Sequence, residues 1–194
     1  MLAYHNNAEL KTKTVLAMHE DIAKERVVKG HYWNEKRGNG CFIGCVTRKE
    51  NEAHQAFEDV LSIPNLLARL ADRIFESLEY NKAKKFTIDF LEAIPVGADL
   101  SMVWPKFAHF MFVDSEVGVI KFAETAHAKK HIQAVADLYQ RTSNGKNIDV
   151  NQWMKVRSNA SADADAVAAC AAADAGGYGD AYARQKHYSR LAVY

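Results

Sequence analysis

Apolar positions recur along most of this chain at intervals of three and four residues, the spacing of one helix face rather than the alternation of a strand. Val15, Met18 and Ile22, with Leu16, Ala23 and Val27, predict a first helix from about Asn7 to Val28, capped by Asn6 or Asn7. Glu20 and Lys24 add a favourable i,i+4 pair on its polar side. Thr47 and Glu50 have the spacing of a capping box for a helix through Leu61, with Ala53, Phe57, Val60 and Leu61 inward. Pro64 suits the first position of a fourth segment in which Leu66, Leu67, Leu70, Ile74 and Leu78 form the apolar stripe. Arg69, Asp72, Arg73 and Glu76 face away from that stripe.

The pattern continues beyond it. Asn81 is positioned to cap a helix burying Ala83, Phe86, Phe90, Leu91 and Ile94, and Pro95 with Gly97 ends it. Pro105 opens a segment, Phe107 to Val113, that is apolar nearly all round and therefore reads as a central helix. A hairpin pairing it with Val117–Phe122 is the competing reading, because short apolar runs do not separate helix from strand. Thr125 caps a helix to about Arg141, and Asp149 caps a segment holding Trp153, Met154 and Val156.

From Ser158 the composition shifts to alanine with interspersed aspartate, then Gly176-Gly177-Tyr178-Gly179 and a tyrosine-bearing end. Alanine favours helix but buries little area, so this stretch reads as a helical arm with a hinge at the glycines. The expected architecture is all-α: a compact bundle of about seven to eight helices over 1–157, with a helical Ala-rich arm over 158–194 suited to homo-oligomer contacts.

One segment breaks the helical pattern, the loop from Gly30 to Cys45. It gathers glycines, His31, Tyr32, Trp33, Lys36, Arg37 and two cysteines. In a binding reading, Tyr32 and Trp33 stack a flat ligand or fill a partner's pocket, Lys36 and Arg37 meet phosphate, and backbone amides near Gly38 and Gly40 form an anion nest. His31 belongs to the same candidate surface. In a chemical reading, Asn39 caps a short helix that places Cys41 in its first turn, where the helix dipole favours a thiolate. His109, His127 or His131 would then activate Cys41 as a nucleophile. In a metal reading, Cys41 and Cys45 join His31 and His54 around zinc. The bland alternative makes both cysteines apolar filler beside Phe42 and Ile43.

Composition narrows the partners. A formal net charge of +1 in 194 residues lacks the basic footprint of a nucleic-acid binder. No apolar run approaches the roughly 20 residues that span a bilayer. Residues 1–7 have neither a basic leader nor an apolar core, so no signal peptide is expected. Three cysteines without disulfide spacing fit a reducing compartment, by default the cytoplasm. His19-Glu20 starts like a zinc-protease signature, but Ala23 stands where the second histidine is required.

Four stretches carry a likeness: Lys29-Gly-His-Tyr-Trp, Gly38-Asn-Gly-Cys-Phe-Ile-Gly-Cys, Ile63-Pro-Asn-Leu-Leu-Ala-Arg-Leu-Ala-Asp-Arg-Ile-Phe-Glu and Ala93-Ile-Pro-Val-Gly-Ala-Asp-Leu-Ser. Over residues 5 to 157 the chain resembles a family of bacterial and phage proteins of unassigned activity that end in an Ala-rich tail. The resemblance implies no activity. It implies a bacterial or phage setting, in which accessory and counter-defence proteins are common. The expectation from sequence is a non-enzymatic binding protein that engages a protein or a small phosphorylated ligand through loop 30–45 without a cofactor. The rival is a Cys41 enzyme or a zinc protein.

Overall fold

In a computed structural model the protein is described over residues 1–170, and the predicted glycine hinge and tyrosine-bearing end lie outside these residues. The chain is predominantly α-helical and divides into two compact units, one over Met1–Ser101 and a second that begins at Met102. The division therefore falls before the apolar segment 107–113, whereas the change of composition at Ser158 falls inside a helix. Among the described residues no helix is long and apolar enough to cross a membrane.

The first unit holds α1 (Ala8–Ala23), a two-stranded ladder of β1 (Trp33–Asn34) and β2 (Asn39–Gly40), then α2 (Phe42–Thr47), α3 (Ala53–Leu61), α4 (Asn65–Ser77) and α5 (Tyr80–Ala93). Asn7 caps α1 by accepting the Leu10 N–H at 3.1 Å. The helix stops five residues before the predicted Val28. Glu25 turns left-handed, and residues 26–28 are extended because they pair with β2: Gly40 N–H donates to Arg26 O at 2.9 Å and Val28 N–H to Gly40 O at 2.8 Å. The buried face of α1 also differs from the predicted one. Leu16 is 62% exposed, while Met18 and the carboxylate of Asp21 are buried.

Phe42 is the hub of this unit's core. Its ring meets those of Phe57, Phe86 and Phe90 edge-on at centroid distances of 5.7, 6.0 and 5.6 Å, and Phe75 lies at 6.4 Å. The predicted capping box is not formed. Thr47 closes α2, its hydroxyl donating to Ile43 O at 2.9 Å, and α3 begins six residues later. Val60 and Leu66, predicted inward, are exposed. In α4 the buried positions are Leu67, Ala68, Ala71 and Phe75, so the buried face is rotated from the leucine stripe toward Asp72 and Glu76.

The second unit contains α6 (Val103–Val113), α7 (Ala126–Ser143) and α8 (Val150–Ala162), with helical backbone again at 164–170. The 107–113 segment is helical, and Val119–Phe122 forms a 3-10 turn rather than a partner strand. Pro105 sits inside the first turn of α6, where its missing N–H costs no hydrogen bond. Thr125 and Asp149 cap α7 and α8, accepting from Ala128 N–H at 3.1 Å and Asn151 N–H at 2.7 Å. Ala166 and Ala169 pack into one core with Val119, Ala123, Ala128 and Ile132, so the described part of the alanine-rich stretch belongs to this unit.

Candidate functional site

The loop predicted to carry the function is built around a backbone crossing. Residues 31–32 pass directly over the start of α2, where Cys41 N–H donates to His31 O at 2.8 Å and to Tyr32 O at 2.9 Å. A Cβ on Gly40 would fall 1.6 Å from Tyr32 O, and one on Gly44 1.9 Å from the same atom. These glycines exist for close packing rather than for an anion. The amides that would form a nest are occupied within the loop's own framework: Gly30 N–H donates to the Glu76 carboxylate, Gly38 N–H to Asn34 O and Gly40 N–H to Arg26 O.

The aromatic residues are likewise engaged. Tyr32 is half-buried and stands edge-on to the His54 ring at 5.2 Å. The guanidinium of Arg48 lies 4.3 Å over Trp33 and reaches Asp21 Oδ2 at 2.6 Å, so one face of Trp33 is covered. His31 is exposed, its Nε2 3.1 Å from Asn39 Oδ1. Lys36 and Arg37 lie in the turn between the strands and are exposed.

Cys41 is not in the first turn of a helix, and Asn39 is not a cap. Asn39 belongs to β2, and Cys41 is the extended residue immediately preceding α2. Its thiol is buried, and burial pushes it well above the ordinary thiol range, with the charge of Asp72 adding to the effect. Backbone hydrogen bonds from Gly44 and Ile43 act in the opposite direction and are outweighed. A nucleophile needs the thiolate, so this environment opposes the activation expected from the helix dipole. Cys45 is pushed up to about 12, again chiefly by burial, and its Sγ lies 3.3 Å from Gly40 O.

What the structure does assemble around Cys41 is a cluster on the loop's inner side. Asp72 and Glu76 are one turn apart on α4. Cys41 Sγ lies 3.5 Å from Asp72 Oδ1, and His54 Nε2 lies 3.0 Å from Asp72 Oδ2. One donor atom each from Cys41, Asp72 and Glu76 falls within 4.8 Å of the others. Burial and the proximity of Asp72 raise the Glu76 carboxyl above its usual range, against the lowering effect of the Gly30 N–H. Burial, then the charges of Asp72 and Cys41, raise the Tyr32 hydroxyl.

Of the four residues predicted to hold zinc, Cys41 is in this cluster and His54 touches it through Asp72. Cys45 is turned to the Arg26 and Gly40 carbonyls, and His31 to Asn39. The three histidines expected to activate Cys41, namely His109, His127 and His131, belong to the second unit. Sequence periodicity places Asp72 and Glu76 on the solvent face. Arg69 and Arg73, each three residues before one of them, balance their charge on a helix face, so local spacing carries no signal for them.

No family model matches the chain, and no curated protein or solved structure matches it.

Proposed function

We propose that this protein binds a divalent transition-metal ion of the zinc class at Cys41, Asp72 and Glu76. The observation that supports this reading is the convergence of one thiol and two carboxylates within 4.8 Å, with Cys41 buried, Asp72 half-buried and Glu76 exposed. Three acidic groups so placed repel one another once ionised, and the charge of Asp72 adds to burial in raising both Cys41 and Glu76. A dication offsets that repulsion and accepts the S and O donors together. In a tetrahedral zinc site a sulfur and an oxygen ligand stand about 3.6 Å apart, and Cys41 Sγ and Asp72 Oδ1 are 3.5 Å apart without any ion. His54 on the second oxygen of Asp72 and Gly30 N–H on Glu76 orient the carboxylates from outside the donor set. Three protein donors leave a fourth position for water or an exogenous group.

The same acidity disfavours a phosphorylated ligand on the inner side of the loop. The outer side supports a second reading, a protein contact, because His31, Lys36 and Arg37 are exposed together around the turn. The setting we infer is the cytoplasm of a bacterial or phage-infected cell, consistent with three free cysteines and with the motif resemblance. A homo-oligomer through the C-terminal arm remains part of the sequence-based proposal.

The test is cobalt(II) titration of the metal-free full chain, read by absorption. One equivalent should give a near-ultraviolet thiolate-to-cobalt charge-transfer band that zinc displaces. Cys41→Ser should abolish the band, Glu76→Gln should weaken binding, and Cys45→Ser should leave the band intact. No band in the wild type, or a band that survives Cys41→Ser, removes the proposal.

A further inference from the structure

We infer that the second unit carries its own metal site, in which His127 and His131 are the ligands and Asp163 is the residue that positions His127. His127 and His131 are four residues apart on α7 and so share one face of the helix. Their Nε2 atoms are 3.3 Å apart, with ring centroids at 4.4 Å and planes at 90°. Two imidazole nitrogens bound at 2.0–2.1 Å to one tetrahedral ion are separated by about 3.3 Å. The pair therefore already has the spacing of a chelate.

Asp163 fixes which nitrogen is offered. Its Oδ2 lies 2.6 Å from His127 Nδ1, and an ionised carboxylate only accepts, so the proton of His127 resides on Nδ1 and Nε2 keeps its lone pair. This carboxylate–imidazole arrangement is the one that orients metal-bound histidines generally. Asp163 is not itself free to be a ligand. Its Oδ1 accepts the N–H groups of Asp165 and Ala166 at 3.0 and 2.9 Å, capping the helical residues from 164.

The charges nearby permit a cation. The N-terminus of α7 is a positive dipole end and opposes one. Asp165 places a carboxylate just before the first turn of α7, its oxygens accepting Thr125 N–H at 2.7 Å and Glu124 N–H at 3.4 Å. Glu124 adds negative charge and Lys129 and Lys130 add positive charge on the exposed part of the same turns. Two imidazoles with water in the remaining positions select late first-row ions such as zinc, nickel or copper over calcium or magnesium. The His127 side chain is 72% exposed, so an ion reaches it directly from solvent.

The experiment uses the full-length Cys41→Ser protein, so that the result does not depend on the first site. Zinc is titrated by calorimetry, and histidine ring nitrogens are followed by NMR. The expected result is one equivalent bound, with the Nε2 resonances of His127 and His131 shifting together. His127→Gln, at an exposed position, should weaken binding by roughly a hundredfold or more, and Asp163→Asn by about 10–100-fold. Absence of saturable zinc binding, or binding unchanged in both His127→Gln and His131→Gln with native circular dichroism, overturns the inference.

Discussion

The thiol of Cys41 donates to Oδ1 of Asp72 at 3.5 Å, joining two residues that are 31 positions apart in the chain. Burial first, and the facing carboxylate second, hold the proton on this thiol at neutral pH.

Thiol titration of the metal-free protein at pH 8 should therefore modify Cys170, which is exposed, and leave Cys41 and Cys45 slow by roughly two orders of magnitude or more. Denaturant should release all three. Asp72→Asn should speed Cys41 only modestly, since burial is the larger cause of its raised value. Rapid modification of native Cys41 would contradict this account.

Gly40 and Gly38 should behave differently. Gly40→Ala forces a Cβ to within 1.6 Å of the Tyr32 carbonyl oxygen, a backbone atom that cannot step aside. The expected loss is about 3 kcal/mol or more by urea denaturation, at or above the upper end of overpacking costs. Gly38→Ala meets nothing within 4 Å and pays only for its φ of +62°, about 1 kcal/mol. Equal losses at the two positions would rule out the crossing as the reason for Gly40.

Tyr4 is fully buried, and its hydroxyl donates to Leu91 O at 2.6 Å. Tyr4→Phe should cost about 1–3 kcal/mol at pH 7 by leaving that carbonyl unmatched. Burial raises the Tyr4 hydroxyl above its ordinary range, so the folded state keeps a proton that the unfolded chain sheds near pH ~10. The contribution is fully present below that pH and is lost as pH rises through the folded value. Denaturation curves from pH 7 to 11 should fall more steeply for the wild type than for Tyr4→Phe.

Asp21 is 1% exposed and is shared by Arg48 at 2.6 Å and Arg26 at 3.3 Å. Both arginines are partly in solvent, which reduces the cost of breaking a buried pair to about 1–2 kcal/mol for Arg48→Ala. Because Arg48 also covers Trp33, this variant should shift Trp33 fluorescence in a Trp104→Phe, Trp153→Phe background. Arg26→Ala should leave the emission unchanged.

Local physics was legible in the residues themselves. The helical class follows from the three-and-four spacing, and Asn7, Thr125 and Asp149 act as caps because a cap needs only its own next few N–H groups. The apolar segment 107–113 is a helix for the same reason of period. The loop stands out in the sequence, but its Gly40 and Gly44, Trp33 and Tyr32 are committed to Tyr32 O, Arg48 and His54. Which acidic side chain meets which thiol or imidazole was decided only by tertiary structure. A rotation of α4 by one position brings Asp72 and Glu76 to Cys41, and the return of the chain after α8 brings Asp163 to His127, 36 residues earlier. Periodicity fixes a helix's apolar stripe to within a residue or so, whereas a site depends on the polar residues at the stripe's edge. Their partners are chosen by how whole helices pack against one another, which no local spacing encodes.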